Sequence, residues 1–293
     1  MAEQQLSDLI PRFDLRGMDL QLERMRHAIQ ALGSPCGDIP AIQVAGTNGK
    51  GSIVSFLSAA LQQASILSGV TTSPHLVSWC ERIAIDGIPI SETQLRQLLL
   101  AQKQLCAKHQ LTPFEQLLTA ALAHFHAESV DLLVLEVGLG GRLDATTAHP
   151  NRPVIAMASI GLDHCEHLGS TLTAIAAEKA AVITPGARVI SAEQPEAVRD
   201  VLEQTCSANN ADLQWVDPLP KDWSLGLAGD WQRRNAAVAR GALQALDRLG
   251  WSLDEATIRA GLAQARWRGR LQTVTWQGHP LLLDGAHNPP AAQ

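Results

Sequence analysis

The sequence predicts an α/β protein built on a mostly parallel sheet with helices on both faces. Short apolar runs rich in Val, Ile and Leu recur along the chain, and each is followed by a polar or glycine-rich loop. Segments with apolar residues at helical spacing lie between these runs. Alternation of this kind is typical of parallel strands joined by crossover helices.

Length and composition limit the class of protein. The 293 residues, 46% of them hydrophobic, can bury a sizeable core in one large domain or two. A net charge of −6 argues against a general nucleic-acid surface. Five cysteines without a C-x-x-C pair indicate neither a disulfide framework nor a zinc ribbon, and they fit a reducing cytoplasm. No secretory leader and no run of about 18 apolar residues is found, so no membrane span is expected.

The most informative stretch is 41–52, AIQVAGTNGKGS. Its apolar start predicts a buried strand, its glycines break that strand, and a helical apolar pattern follows. A glycine-rich turn between strand and helix directs backbone N–H groups and the positive helix end at one point, which suits a phosphate. The motif G-x-x-x-x-G-K-[ST] would need other residues at Val44 and Gly51, so a turn with incidental glycines is the alternative. The predicted phosphate-binding residues are Gly46, Thr47, Asn48, Gly49, Lys50, Gly51 and Ser52.

Two further strand ends carry candidate metal ligands. The apolar run 131–137 ends with Glu136, and parallel strands bring their carboxyl ends to one edge of the sheet. Glu136 is therefore expected beside the phosphate loop as a magnesium ligand. A zinc site is a less favoured alternative after the strand 153–160, since adjacent loop residues rarely converge on a transition metal. Its candidate ligands are Asp163, His164, Cys165, Glu166 and His167.

Local signals predict several element boundaries. Ser91 with Gln94 and Thr112 with Glu115 form capping boxes that predict two helix starts. Asp86-Gly87 lies between two short apolar runs and predicts a small β-hairpin ribbon over 82–90. Later elements are predicted as a strand at 188–191, a helix at 195–207 and a strand at 212–215.

GTNGKGS resembles the phosphate loop of the Mur-ligase superfamily, and its Gly51-Ser52 ending is similar to that of the folate branch, the dihydrofolate synthase and folylpolyglutamate synthase enzymes. Other segments strengthen the resemblance: DLQLER at 19–24, SPHL with ERI between 73 and 83, TPFE at 112–115, EVGLGGRLDAT at 136–146, LDH at 162–164, EKA at 178–180, GDWQRRNAA at 229–237, WRGR at 267–270 and DGAHNP at 284–289. The chain departs from the family patterns at Gln21, Thr147, Ala181, Trp231 and Arg268.

The resemblance implies a role for individual residues. Two magnesium ions would be held by Ser73, Glu136 and His164. The catalytic residues would be Lys50, His164 and Lys179, the last of these carbamylated so that it steadies the metal site. Lysine must be neutral to take up carbon dioxide, which burial and nearby cations favour. ATP would further contact Asn235, Arg270, Asp284 and His287. The pteroate group would contact Asp19, Leu20, Gln21, Phe114 and Asp144.

The implied function is ATP-dependent addition of L-glutamate to dihydropteroate or a folate through an acyl phosphate. The implied fold is a Mur-ligase-like P-loop nucleotide-binding domain. It would occupy 1–278 as an ATP-binding ligase domain, and 279–293 would be the start of a C-terminal α/β domain, most of which the sequence lacks. A cytoplasmic monomer is expected, without nucleic-acid or membrane partners. The alternatives are a nucleotide-binding fragment without ligase activity and a Mur-type cell-wall amino-acid ligase.

Overall fold

The computed structural model describes residues 6–10 and 21–288. The strands are β1 (Ala41–Ala45), β2 (Ser68–Thr71), β3 (Ile83–Ile85), β4 (Ile88–Pro89), β5 (Leu132–Glu136), β6 (Val154–Met157), β7 (Arg188–Ala192), β8 (Asp212–Val216), β9 (Gln272–Trp276) and β10 (His279–Leu283). The first eight form a central sheet with the order β4-β3-β2-β5-β1-β6-β7-β8, and β9 and β10 form a separate two-stranded sheet.

Helices cover both faces of the large sheet, as the sequence predicts. They are α1 (Leu6–Leu9), α2 (Leu22–Ala31), α3 (Lys50–Gln63), α4 (Glu92–Ala101), α5 (Lys103–Lys108), α6 (Pro113–Ala127), α7 (Cys165–Leu168), α8 (Leu172–Ala180), α9 (Glu196–Ala208), α10 (Trp231–Gln244) and α11 (Glu255–Gln264). Short 3₁₀ helices lie at Trp79–Arg82, Ala145–Ala148 and Ala245–Leu249. No helix in the described ranges is long and apolar enough to cross a bilayer.

The central strand β1 shows how the layers are built. Side chains alternate between the two faces of a strand, and every residue of β1 is buried. Ile42 and Val44 pack with α3, α10 and α11 on one face, whereas Ala41 and Ala45 join the core clusters of the opposite face. Because β1 pairs in parallel with β5 and with β6, the carboxyl ends of all three strands meet at one edge.

The hairpin predicted over 82–90 forms, and it belongs to the large sheet. Asp86 and Gly87 both have positive φ, as a two-residue turn of this kind requires. Strand β3 pairs antiparallel with β2, so the hairpin is the antiparallel edge of an otherwise parallel sheet. A second hairpin, which was not predicted from the sequence, joins β9 to β10. The expected domain division at 278/279 lies within the turn of this hairpin.

Both predicted capping boxes are present, and the second ties two sequence motifs together. The hydroxyl groups of Ser91 and Thr112 accept hydrogen bonds from the N–H groups of Gln94 and Glu115. The Glu115 carboxylate also lies 3.0 Å from Nε of Arg24, in a nearly buried ion pair. This pair fixes α2 against the start of α6, and so it brings the DLQLER and TPFE segments together.

Candidate active site

The loop between β1 and α3 has the geometry of a phosphate loop. Gly46 and Gly49 have φ values of 130° and 100°, which other residues rarely adopt. A Cβ on Gly46 would also lie 2.7 Å from the Cβ of Ala158, and one on Gly51 would lie 2.8 Å from the ring of Trp267. Conformation and close packing therefore both require glycine in this loop.

The donors of this loop divide into two groups. The N–H groups of Thr47 and Asn48 donate to the carbonyl oxygen of Ser159 at 2.7 and 3.2 Å, which fixes the loop beside the end of β6. No acceptor among the described residues contacts the backbone N–H groups of 49–52. These four donors stand at the positive end of a 14-residue helix. An anion is the ligand that such a helix start favours.

Two lysines reach the same carbonyl group of the loop. Nζ of Lys50 donates to the carbonyl oxygens of Gly46 and Thr47, each at 3.1 Å. Nζ of the buried Lys179, on α8, donates to the Gly46 oxygen at 3.0 Å. Burial and, after it, the charge of Lys50 lower the pKa of Lys179 to about 7, against the opposing effect of Asp163 and Asp144.

Glu136 ends β5 beside this loop, where its carboxylate lies among cationic groups. Its Oε2 accepts a hydrogen bond from the backbone N–H of Ser73 at 3.1 Å. Burial raises the pKa of Glu136 to about 7, while Lys50, the Ser73 N–H, Arg270 and Arg82 all act to lower it. The structure thus brings together Ser73, Glu136, Lys50 and Arg270, which are far apart in sequence.

The side chains at this edge fit magnesium better than zinc. Mg²⁺ is commonly held by one or two carboxylates, with phosphate oxygens and water completing its shell. The buried Glu136 carboxylate beside Ser73 fits that pattern. Across the described ranges, no group of three His, Cys, Asp or Glu side chains could hold a metal ion, so the zinc alternative at 163–167 gains no support. His164 is partly exposed, with its ring nitrogens 4.0 Å from Asp163 and 3.8 Å from Glu166.

A polar network joins the end of the described chain to the phosphate loop. The side-chain amides of Asn48 and Asn288 exchange hydrogen bonds at 2.9 and 3.1 Å, and Nδ2 of Asn288 also donates to Asp163 at 2.9 Å. Sequence reasoning missed Asn288 as a site residue, although it stands in the DGAHNP motif. Its local signal is its place in the polar loop that begins after the apolar strand end at Leu283.

Of the residues expected to contact ATP, Asn235 lies against the phosphate loop, whereas Asp284 and His287 lie in the loop that follows β10. A Cβ on Gly49 would be 2.4 Å from Oδ1 of Asn235, so Asn235 packs directly on the loop. Asp284 uses its two carboxylate oxygens to accept the N–H groups of Leu271 and Ala286. The ring of His287 lies 4.0 Å from the Asp163 carboxylate. Asp284 therefore shapes its own loop in this structure, and that loop contacts the WRGR segment.

The residues expected to contact the pteroate group are placed in part. Asp19 and Leu20 lie outside the described residues, and Gln21 is exposed just before α2. Asp144 is buried, and its carboxylate accepts hydrogen bonds from Gly138, Leu139 and Thr146. Phe114 and Asp144 meet at Gly138, where an added Cβ would lie 3.0 Å from the Phe114 ring and 3.3 Å from Asp144. Burial raises the pKa of Asp144.

These features define a P-loop nucleotide-binding α/β domain. The phosphate loop lies at the carboxyl edge of a parallel sheet, and a buried carboxylate and two lysines lie beside it.

Comparison with family models gives no match. A dihydrofolate synthase/folylpolyglutamate synthase of Bacillus subtilis is 36% identical, over 93% of this chain and 70% of the relative.

Solved structures give the same result. The folylpolyglutamate synthase of Mycobacterium tuberculosis in complex with ADP and AMPPCP has a TM-score of 0.86 at 33% identity, over 93% of this chain and 69% of that one. An FPGS–AMPPCP–folate complex has a TM-score of 0.88 at 27% identity, over 98% and 78%. The chain belongs to the dihydrofolate synthase/folylpolyglutamate synthase family.

Proposed function

We propose that the protein joins L-glutamate to dihydropteroate or to a folate at the expense of ATP. The observation that carries this proposal is the meeting of the phosphate loop, Glu136 and Lys179 at one edge of the sheet. It is supported by relatives named for these two activities and by related structures bound to an ATP analogue and to folate.

A carboxylate is a poor electrophile, so the reaction needs an activated acyl group. An oxygen of the substrate carboxylate attacks the γ-phosphorus of ATP, and ADP leaves. The amine of glutamate then attacks the acyl carbon, the acyl–oxygen bond breaks, phosphate leaves and the amine loses a proton. Every reactant and the transferred group are anionic, so positive charge in the site is needed to stabilise the transition states.

The chain supplies this charge from the loop and from two side chains. The free N–H groups of 49–52 hold the phosphates, and Lys50 turns from the carbonyl groups of its own loop toward the γ-phosphoryl group. Arg270, close enough to Glu136 to lower its pKa, approaches the same phosphates. Ser73 and Glu136 would hold one magnesium ion and His164 a second. Magnesium, when bound, neutralises the phosphate oxygens and orients them.

Lys179 is proposed to act as a carbamate. Its neutral amine attacks carbon dioxide, a nitrogen–carbon bond forms and one proton leaves, which converts the buried neutral amine into an anion. A pKa near 7 leaves a large neutral fraction at neutral pH, and the carbamate would lie beside the cation of Lys50. In this role Lys179 is a positioning residue for Lys50 and the metal site.

The remaining expected contacts complete the proposal. Asn235, Asp284 and His287 would hold the adenosine. The pteroate group would contact Asp19, Leu20, Gln21, Phe114 and Asp144. We also propose the division into an ATP-binding ligase domain at 1–278 and the start of a second α/β domain at 279–293, in a cytoplasmic monomer.

Product analysis tests the proposed function. The protein is incubated with MgATP, glutamate and either dihydropteroate or tetrahydrofolate in parallel arms, at least one of which must give the product, and each substrate is omitted in turn. We expect ADP and the glutamyl amide in equal amounts, with no amide when any one substrate is missing. Formation of AMP instead of ADP, or release of ADP without any amide, would overturn the proposal.

A further inference from the structure

A cavity of about 400 Å³ lies at the edge of the sheet opposite the candidate active site. It opens between α2 and the loop that leads into β6, and its polar lining is formed by Arg26, Gln30, Ser34, Thr147, His149 and Arg152. We call it the basal cavity. The loop over it joins the start of β1, since the N–H of Ala41 donates to the carbonyl of Asn151 at 2.9 Å. The five residues of β1 place it about 15 Å from the phosphate loop.

Arg152 is the fixed cationic group of this cavity. Its side chain is buried and donates to three acceptors: Nε to the carbonyl of His149 at 2.8 Å, and Nη1 to the Val182 carbonyl at 2.8 Å and to the side chain of Gln43. These bonds hold the guanidinium plane in one orientation. Its remaining nitrogen, Nη2, contacts no acceptor among the described residues.

Arg26 adds a second guanidinium from α2. Its Nη1 pairs with Glu23, whose exposed side chain does not line the cavity, and its other nitrogens contact no acceptor in the described part of the chain. The two arginines are close enough to interact: burial lowers the pKa of Arg152 to about 10, and the charge of Arg26 contributes to that shift. Because none of the described residues that line the cavity supplies a carboxylate, an anion bound there would stabilise these two like charges.

The other polar groups add donors without adding negative charge. None of the described residues that line the cavity is an Asp or Glu. His149 has its Nε2 2.8 Å from the carbonyl of Ile39, and burial lowers its pKa, so the ring is neutral at pH 7. Gln30 and Ser34 offer an amide and a hydroxyl. The lining is thus cationic, with neutral hydrogen-bonding groups around it.

We propose that the basal cavity binds a small, multiply charged oxyanion, a phosphate ester or a polycarboxylate, bridged by Arg26 and Arg152. Guanidinium groups match the oxygens of both kinds of anion with paired N–H donors. The volume is within the range of sites for small metabolites. This site is independent of the proposed ligase function, because it shares no residue with the candidate active site.

The methyl group of Ile29 provides a local probe. Ile29 is buried and lines the basal cavity, whereas Ile53 lies on α3 beside the phosphate loop. The protein is labelled at isoleucine methyl groups, and Ile29→Val assigns the signal of Ile29. AMPPCP and Mg²⁺ are present in excess to occupy the phosphate loop. Inorganic phosphate is titrated in one arm and citrate in the other.

We expect a saturable shift of the Ile29 signal with at least one anion while the Ile53 signal stays constant. Response to phosphate alone identifies a phosphate ester as the ligand class, and response to citrate alone identifies a polycarboxylate. Arg26→Gln should weaken binding roughly tenfold, as the loss of one charge-assisted hydrogen bond predicts. Arg26 is half-exposed, so this variant should fold.

Arg199→Gln is the matched control. Arg199 is equally exposed on α9 and also pairs with a glutamate on its own helix, but it does not line the basal cavity. The Arg199→Gln variant should show the same anion-dependent shift of the Ile29 signal as the wild type. The proposal is overturned if neither anion shifts Ile29, or if Arg26→Gln and Arg199→Gln bind the anion equally well.

Discussion

Lys50 and Lys179 donate hydrogen bonds to one and the same acceptor, the carbonyl oxygen of Gly46, at 3.1 and 3.0 Å. Lys50 comes from the phosphate loop and Lys179 from α8, so two ammonium groups converge on one carbonyl group. Burial, followed by the charge of Lys50, lowers the pKa of Lys179 to about 7. This pair links the anion site to the group that we propose to be carbamylated.

The shifted pKa of Lys179 makes stability depend on pH. Between pH 7 and 10.5 the unfolded chain holds a proton on this lysine that the folded chain has lost, so the free energy of unfolding rises with pH across that window. At its steepest, the rise in the free energy of unfolding should be about 1.4 kcal/mol per pH unit. Lys179→Met should remove this slope.

Denaturant titration in buffer free of carbon dioxide, at pH 7.5 and pH 9, measures this effect. From pH 7.5 to pH 9, the free energy of unfolding of the wild type should rise relative to that of Lys179→Met by about 1 kcal/mol or more. An unchanged difference would show that Lys179 keeps an ordinary pKa.

Carbamylation predicts a distinctive rescue. Lys179→Ala should lose ligase activity, and bicarbonate should not restore it because the amine is gone. A short carboxylic acid such as acetate or propionate should restore part of the rate, since its carboxylate can occupy the space of the carbamate. Rescue by methylamine, a small cation, and not by a carboxylic acid would indicate that Lys179 acts as an ammonium group.

Charge compensation at the γ-phosphate predicts large kinetic effects from two substitutions. Lys50→Ala and Glu136→Ala should each lower kcat by about 10²-fold or more without loss of the fold. Lys103→Ala, at an exposed position on α5, is the control and should keep wild-type kinetics. Circular dichroism establishes folding and ADP release gives the rate. Near-wild-type turnover of either site variant would exclude the role given to this loop.

Periodicity and strand order predict much of this site. The apolar runs locate β1 and β5, and their parallel pairing explains why Glu136 falls beside the phosphate loop. The contact between Asn48 and Asn288 could not be predicted, since the two residues are 240 positions apart and neither lies in a periodic segment. Periodicity identifies the buried face of an element, but which loops meet depends on how side chains pack between elements.

The sequence pattern also does not predict which charged residues are buried. The sequence shows Glu178-Lys179 as an adjacent pair, for which a solvated surface is the ordinary reading. In the structure Glu178 pairs with Arg142, whereas Lys179 is buried toward Gly46. Arg152 gives no signal in the sequence, because two of its three hydrogen-bond partners, Gln43 and Val182, come from distant parts of the chain.

The close contact of α3 with α11 predicts an unusual response to a helix substitution. Gly→Ala within a helix normally stabilises by about 1 kcal/mol. A Cβ on Gly261 would lie 2.3 Å from the Cα of Ala60, so the two helices must separate. Gly261→Ala should therefore destabilise the protein by about 1–3 kcal/mol.

Gly241→Ala on α10 is the comparison for this prediction. Its Cβ would meet the side chain of Ile190 at 2.8 Å, and a side chain adjusts more readily than a backbone. Chemical denaturation should give a smaller loss for Gly241→Ala than for Gly261→Ala. A Gly261→Ala variant as stable as wild type would contradict the packing described for these helices.

Transfer of oxygen from substrate to phosphate tests the proposed reaction most directly. The acyl substrate that the product analysis identifies, with ¹⁸O in both oxygens of its reacting carboxylate, is incubated with the protein, MgATP and glutamate, and the released phosphate is analysed by mass spectrometry. If the carboxylate attacks the γ-phosphorus, each phosphate released with an amide carries one ¹⁸O atom. Unlabelled phosphate beside the amide product, or phosphate released with no amide formed, would contradict the account.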